Sequence, residues 1–241
     1  MNLCIDQGNS SVKMGIFDQS KLVKTFVYKN FDRKSVLSML RNYPVDRCIY
    51  SSVINKNASA VAFLKKNIAQ VLLLTHETPL PIENKYQTPK TLGKDRLAAV
   101  VGAGFLEPNR DVLVIDAGTA ITFDFMDAKR NYWGGNIDVG LELRLKALHT
   151  FAKKLPLVKP VQEVPLMASN TEMALAAGAL NGIIFEIDGY INALKIEYPD
   201  LSTFLTGGSL IFFDKKLKNS IFVEKNLVLI GLNYILQYNV Q

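Results

Sequence analysis

The chain has 241 residues, of which 49% are hydrophobic, 10% aromatic and 21% charged. This is the composition of a globular protein, and it excludes long disordered segments and collagen-like repeats. The formal net charge of +6 suits an anionic small molecule as well as it suits nucleic acid. The basic residues form short pairs, at Lys65-Lys66, Lys153-Lys154 and Lys215-Lys216, so we expect solvated surfaces and no nucleic-acid partner.

Cysteine, histidine and hydropathy patterns exclude several further classes. Two cysteines and two histidines are too few for a zinc ribbon or a disulfide framework, and Cys4, in an apolar strand, is expected to be a buried free thiol. Asp6 interrupts the N-terminus before a signal-peptide core could form. The longest charge-free stretch, 226–241, is too short and too polar to span a bilayer. We therefore expect a cytoplasmic protein without a membrane partner.

The first half of the chain alternates between strand and helix patterns. Apolar alternation and turn residues predict strands at 3–5, 12–17, 22–28, 47–53 and 71–74. Helical spacing predicts helices at 33–42, 58–68 and 94–105. The segment 75–92 contains three prolines and is expected to form an irregular loop.

The second half repeats this alternation. Strands are predicted at 112–115, 120–126, 131–134 and 202–206, and helices at 141–151, 171–196 and 227–236. The segment 154–170, again with three prolines, predicts a second irregular loop. Either Asn170 or Thr171 is expected to cap the long helix that follows.

A short motif marks the start of each half. Ile5-Asp6-Gln7-Gly8 and Ile115-Asp116-Ala117-Gly118 share the pattern I-D-x-G and lie 110 residues apart. Each ends an apolar strand and opens a hairpin, which favours a duplicated α/β unit. We therefore predict two domains of similar fold, 1–110 and 111–241, each a mixed β-sheet flanked by helices.

An Asp-Gly turn at the end of a strand is suited to binding phosphate. Glycine exposes successive backbone N–H groups and admits a close ligand, and the carboxylate can hold a hydrated cation. Lys13 could add positive charge on a phosphate oxygen. One such hairpin alone is better explained as a plain turn, but two of them together with Thr206-Gly207-Gly208 favour a nucleotide cleft between the domains. The P-loop and dinucleotide-binding signatures are absent from the sequence.

Six segments in register resemble the motifs of the type III pantothenate kinases, a family within the superfamily of actin, sugar kinases and related ATPases. They are Asp6 to Lys13 (D-x-G-N-T-x-x-K), Gly93 to Arg96 (G-x-D-R), Asp116 to Thr122 (D-x-G-T-A-x-T), Gly134 to Leu143 (G-G-x-I-x-P-G-L-x-L), Lys154 to Pro156 (K-L-P) and Asn170-Thr171. Ser10 replaces the usual Thr, which keeps the hydroxyl, and Val139 replaces the usual Pro. The fold implied is a pair of ribonuclease-H-like (actin-like ATPase) domains.

The resemblance also implies an activity and a set of site residues. The activity is ATP-dependent phosphorylation of pantothenate to 4'-phosphopantothenate, the first step of coenzyme A synthesis, by a homodimer that uses Mg²⁺ and potassium or ammonium. ATP and Mg²⁺ would be bound by Asp6, Gln7, Gly8, Asn9, Ser10, Ser11, Val12, Lys13 and Thr119. The monovalent cation would be held by Asp116. Pantothenate would be contacted by Tyr86, Gly93, Lys94, Asp95, Arg96 and Thr171, with Asp95 as the proton acceptor.

The residues themselves leave plainer roles open. Asp95 could be only a favourable carboxylate at a helix N-terminus, and Arg96 could be only its ion-pair partner. Tyr86 could pack the loop rather than line a pocket, and Thr171 could cap a helix. The alternatives at the level of function are another small-alcohol kinase of the same superfamily and an inactive regulator with this fold. The retention of Lys13, Asp95 and Asp116 favours an active kinase.

Overall fold

A computed structural model describes residues 1–54 and 58–240. The chain forms two compact units. Unit 1 comprises Met1–Asn109, Arg130–Trp133 and Asn226–Gln241, and unit 2 comprises Arg110–Lys129 and Gly134–Lys225.

The described residues form eleven strands and six α-helices. The strands are β1 (Asn2–Gln7), β2 (Val12–Asp18), β3 (Lys21–Tyr28), β4 (Arg47–Ser52), β5 (Gln70–Leu73), β6 (Glu83–Asn84), β7 (Val112–Ala117), β8 (Ala120–Met126), β9 (Asn131–Val139), β10 (Ser202–Thr206) and β11 (Phe222–Val223). The helices are α1 (Arg33–Asn42), α2 (Ala58–Asn67), α3 (Lys94–Leu106), α4 (Leu141–Phe151), α5 (Thr171–Glu197) and α6 (Leu227–Asn239). A short 3₁₀ turn covers Leu210–Phe212.

Unit 1 is built on a five-stranded sheet in the order β3-β2-β1-β4-β5. Strand β1 is antiparallel to β2 and parallel to β4, and β4 is parallel to β5. Its core is apolar, with Leu3, Ile5 and Met14 fully buried. Cys4 and Cys48 are buried free thiols, as the apolar context of Cys4 predicts, and burial raises the pKa of both.

The second sheet has six strands in the order β6-β9-β8-β7-β10-β11, and the five from β9 to β11 repeat this arrangement. Strand β7 is antiparallel to β8 and parallel to β10, and β10 is parallel to β11. The two aspartates of the shared motif occupy equivalent positions, because Asp6 is the fifth residue of β1 and Asp116 is the fifth residue of β7. The duplicated α/β fold predicted from the sequence is therefore confirmed.

The long helix α5 begins where the sequence predicts, and Asn170 is its cap, accepting a 2.9 Å hydrogen bond from the backbone N–H of Met173. By length and composition it is the one helix, within the described part of the chain, that could cross a membrane. Core helices pass the same test, and Ile183, Ile187 and Ile191 are fully buried in the core of unit 2.

Most predicted elements are present, and the differences have physical causes. Strand β9 continues to Val139 instead of ending at Gly134. A Cβ on Gly135 would lie 1.6 Å from the backbone oxygen of Phe123, so the glycines permit a close approach of neighbouring strands rather than ending one. Strands β6 and β11 are two residues long and were not predicted. Helix α6 belongs to unit 1, whereas the predicted domain 111–241 includes it; the domain boundary at 110 stays a prediction.

Candidate functional site

The turn between β1 and β2, residues Gly8 to Ser11, is held in place from both sides. The backbone N–H of Gly8 donates to the carbonyl of Ser11 at 3.0 Å, and that of Val53 donates to the carbonyl of Gln7 at 3.1 Å. The Tyr50 hydroxyl donates to Oε1 of Gln7. Burial raises the pKa of Tyr50, so this phenol stays a donor at neutral pH. The backbone that enters the turn is therefore fixed in advance.

Glycine at position 8 is not required by the packing of the chain. A Cβ there would lie 3.5 Å from the Ser11 carbonyl oxygen, an ordinary contact, and the residue lacks a positive φ. Gly140 differs, because a Cβ on it would lie 2.3 Å from the carbonyl oxygen of Thr119. The lack of a side chain on Gly8 is thus not needed for packing, and it leaves the backbone of the turn accessible to a close ligand such as phosphate.

Charged and hydroxyl residues flank this turn on the strands. Asp6 pairs in register with Lys13 on β2 and with Ser51 on β4. Directly opposed residues on antiparallel strands have Cβ atoms about 4.5–5.5 Å apart, so a carboxylate and an ammonium-bearing side chain share this edge. The arrangement can hold both a cation and a phosphate group.

The N-terminus of α3 carries the predicted catalytic residue. Gly93 is the N-cap, and Oδ1 of Asp95 accepts a 2.9 Å hydrogen bond from the backbone N–H of Arg96. A Cβ on Gly93 would lie 2.5 Å from that same Oδ1. Glycine at position 93 therefore leaves room for the Asp95 carboxylate to fold back over the start of its own helix.

The neighbours of Asp95 lie in different surroundings. Nζ of Lys94 donates to the backbone oxygen of Ser52 at 3.1 Å. Arg96 is only 7% exposed, and its guanidinium carbon lies 5.8 Å from the ring centroid of Tyr86. Tyr86 in turn lies 6.3 Å, centroid to centroid, from Tyr132. Of the predicted pantothenate residues, unit 1 thus brings Tyr86 and Arg96 into contact.

Unit 2 places the second Asp-Gly turn beside the Thr206-Gly207-Gly208 segment. Asp116 pairs in register with Thr206, and a Cβ on Gly207 would lie 2.5 Å from Oδ1 of Asp116. Gly207 has a φ of 101°, which favours glycine. The backbone N–H of Gly118 closes the turn by donating to the carbonyl of Ala120 at 3.1 Å. Of the three turns predicted to form the nucleotide cleft, unit 2 thus brings the Asp116 to Gly118 turn and the Thr206 to Gly208 turn together.

Thr171 is exposed at the first position of α5. Because Asn170 supplies the cap, the hydroxyl of Thr171 is not used for capping. Thr119, the remaining predicted ATP residue of unit 2, lies in the turn beside Gly118.

Sequence reasoning did not single out the end of β4. Tyr50, Ser51 and Ser52 contact or pair with Asp6 and Gln7, which precede the turn between β1 and β2, and with Lys94. The available signal was a strand ending in two serines, since parallel strands bring their carboxyl ends to one edge of a sheet. Over residues 1–54 and 58–240 no group of three or more acidic, histidine or cysteine side chains is arranged so that it could hold a metal ion by itself.

The repeated sheet, with an Asp-Gly turn at the same place in each copy, defines an actin-like ATPase fold of the sugar-kinase type. Solved structures agree. The Baf family protein of Campylobacter jejuni has a TM-score of 0.64 at 22% identity, covering 98% of both chains. A ROK family glucokinase from Streptomyces griseus has a TM-score of 0.55 at 11% identity, covering 98% of this chain and 99% of its own. At these identities the likeness shows the fold alone.

Sequence comparison is more specific. The family model for type III pantothenate kinase matches residues 2–193. A type III pantothenate kinase from Phocaeicola vulgatus is 48% identical over 239 residues, which cover 99% of each chain. The chain therefore belongs to the type III pantothenate kinase family, and its predicted kinase class is confirmed.

Proposed function

We propose that the chain transfers the γ-phosphoryl group of ATP to the 4'-hydroxyl of pantothenate, the first step of coenzyme A biosynthesis, in the cytoplasm. Family membership supports the reaction. The observation that carries the mechanism is the start of α3, where Gly93 leaves room for the Asp95 carboxylate directly between Lys94 and Arg96. One carboxylate, positioned phosphates and neutralising charge are what phosphoryl transfer to an alcohol needs.

The ATP phosphates are assigned to the segment Asp6 to Lys13 and to Thr119. A glycine at position 8 that the packing does not require and the fixed entry to the turn support this assignment. Asp6 would hold Mg²⁺ or water bound to it, and when bound the ion would neutralise charge on the phosphates. Lys13, opposite Asp6, adds a positive charge at the same edge.

The monovalent cation, potassium or ammonium, is assigned to Asp116. Its carboxylate lies against Gly207 and beside Gly118, so backbone groups of two turns surround it. When bound, the cation would offset negative charge near the phosphates. It would thereby complement the role proposed for Mg²⁺.

Pantothenate is assigned to Tyr86, Gly93, Asp95, Arg96 and Thr171. The Arg96 guanidinium would pair with the pantothenate carboxylate, in the two-pronged geometry that arginine favours, while the Tyr86 ring supports its position. As the hydroxyl oxygen bonds to the γ-phosphorus and ADP leaves, Asp95 would accept the hydroxyl proton.

We further propose a homodimer formed in part by α5. This helix buries Ile183, Ile187 and Ile191 in unit 2 yet leaves Phe185 and Ile196 exposed by 56% and 85%. A helix that is apolar on more than one face is covered by the core or by a partner.

The test of the mechanism is Asp95→Asn, which keeps the size and the oxygen that accepts from the Arg96 N–H. General-base assistance is worth about 10²–10⁴-fold in rate, so we expect kcat for pantothenate to fall by that factor with nucleotide affinity nearly unchanged. Lys13→Ala is the contrasting variant, since it removes charge from the phosphates and should weaken ATP binding as well as turnover.

A coupled ADP-release assay with and without pantothenate measures both variants and also separates an inactive regulator from a kinase. If Asp95 only favours the helix N-terminus, the Asn variant will lose a little stability and keep kcat within a few-fold. That result would contradict the mechanism.

A further inference from the structure

The position of Lys94 is not explained by the stability of α3. Lys94 is the first residue of the helix, where the macrodipole is positive and a cation is unfavourable. Asp95, the next residue, is the acidic side chain of the first turn. Helix stability therefore gives no reason for a lysine at this position.

The Lys94 side chain is tied to the strand edge beside the phosphate turn. Its half-buried Nζ donates to the backbone oxygen of Ser52 at 3.1 Å. Ser52 pairs in register with Gln7, the residue immediately before Gly8. An ammonium carries three N–H donors, and the Ser52 bond is the one hydrogen bond that Nζ makes within the described part of the chain. Two donors therefore remain for a ligand near this turn.

A second polar group at the same end of β4 has hydrogen-bonding capacity that the chain leaves unused. Ser51 is fully buried, and its Oγ makes no hydrogen bond to any of the residues that the structure describes. Ser51 pairs in register with Asp6 from β4, and Lys13 pairs with the same residue from β2, on the opposite side of β1. Because buried polar atoms are nearly always hydrogen-bonded, this unsatisfied hydroxyl, in the residue before the one that Lys94 contacts, indicates a ligand rich in hydrogen-bonding oxygens.

Arg96, two residues further on, lies in a different environment. It is buried with its guanidinium near the Tyr86 ring, whereas Lys94 contacts the end of β4. The two cations of the Gly93 to Arg96 segment thus lie in separate surroundings on either side of Asp95.

We propose that Lys94 binds the terminal phosphate of the nucleotide and not pantothenate, to which the family resemblance assigns it. This inference rests on the proposed function. Its Nζ, held by Ser52, would place a positive charge on the group that is transferred to the hydroxyl deprotonated by Asp95. The two cations of the segment would then bind different groups. Lys94 would bind the transferred phosphoryl group, and Arg96 would bind the carboxylate of pantothenate.

Titration calorimetry on the full-length protein tests whether Lys94 binds the nucleotide or pantothenate. The ligands are ADP, a non-hydrolysable ATP analogue with an imido bridge, and pantothenate, each measured separately in Mg²⁺ and K⁺. A hydrogen bond to a charged group corresponds to about a 10- to 100-fold change in affinity. For Lys94→Met we expect a loss of that size for the ATP analogue, with the affinities for ADP and pantothenate changed less than about threefold. Lys65→Met, an exposed lysine of unit 1, controls for the loss of one charge.

Three results with Lys94→Met would overturn the inference. They are an unchanged affinity for the ATP analogue, a loss of affinity for pantothenate alone, and an equal loss of affinity for all three ligands. The last of these would indicate a structural role for Lys94. Failure of the proposed function looks different. In that case the wild type would neither bind nor phosphorylate pantothenate, while Lys94→Met would still show the selective loss of the ATP analogue.

Discussion

Replacing Gly231 with alanine should destabilise unit 1 by forcing apart the two helices that meet there. A Cβ at position 231 would lie 1.7 Å from the backbone oxygen of Ala98 and 2.9 Å from the backbone nitrogen of Gly102. Ordinary contacts are 3.4–4 Å, so α6 would have to move away from α3 by more than an ångström. Both obstructing atoms belong to helix backbone, and no side-chain rotation can relieve the overlap.

The size of the effect follows from two opposing terms. Overpacking a tight site costs about 1–3 kcal/mol, and we take the upper value of about 3 because the contact is backbone to backbone. Alanine recovers about 0.5–1 kcal/mol over glycine inside a helix. The net loss is therefore about 2 kcal/mol or more, which lowers Tm by about 4–8 °C in a protein of this size.

Thermal unfolding followed by circular dichroism measures the change, with Gly178→Ala as the matched control. Nothing lies within 4 Å of a Cβ at Gly178 in α5, so only helix propensity acts there, and Tm should rise by about 1–4 °C. A Gly231→Ala protein that melts within about one degree of the wild type would refute the close approach of α3 and α6. Because α3 begins with the Lys94 to Arg96 segment, this packing also positions the site.

Two further predictions concern the cation and the assembly. Asp116→Ala should largely abolish the activation by potassium or ammonium, because its carboxylate is the proposed cation ligand. Steady-state rates in potassium, ammonium and sodium buffers measure this activation. Full wild-type activity in sodium alone would contradict the prediction. Light scattering at micromolar concentration should show that the wild-type protein is a dimer. Phe185→Asp places a charge on an exposed apolar position of α5 and should shift the equilibrium towards the monomer. A wild-type monomer would contradict the proposed interface.

Local pattern in the sequence determined most of the elements. Helices α1 and α4 have the predicted bounds, because their apolar spacing and their boundary residues act within a few turns of chain. Asp32 caps α1 by accepting from the backbone N–H groups of Lys34 and Ser35, and the helix ends before Pro44. The repeated I-D-x-G motif was also sufficient to predict the duplication, since each copy ends a strand and opens a hairpin.

The tertiary structure alone decided what depends on distant parts of the chain. The two-residue strands β6 and β11 exist only through pairing with other strands, and such short segments have no periodicity of their own. Helix α6 packs with α3 because Gly102 and Gly231 let their backbones meet, a contact between residues 129 positions apart that neither local pattern specifies. The hydrogen bond from Lys94 to the backbone oxygen of Ser52 likewise joins residues far apart in the sequence. Sequence periodicity fixes which face of an element is buried, but the partner it is buried against is set by long-range packing.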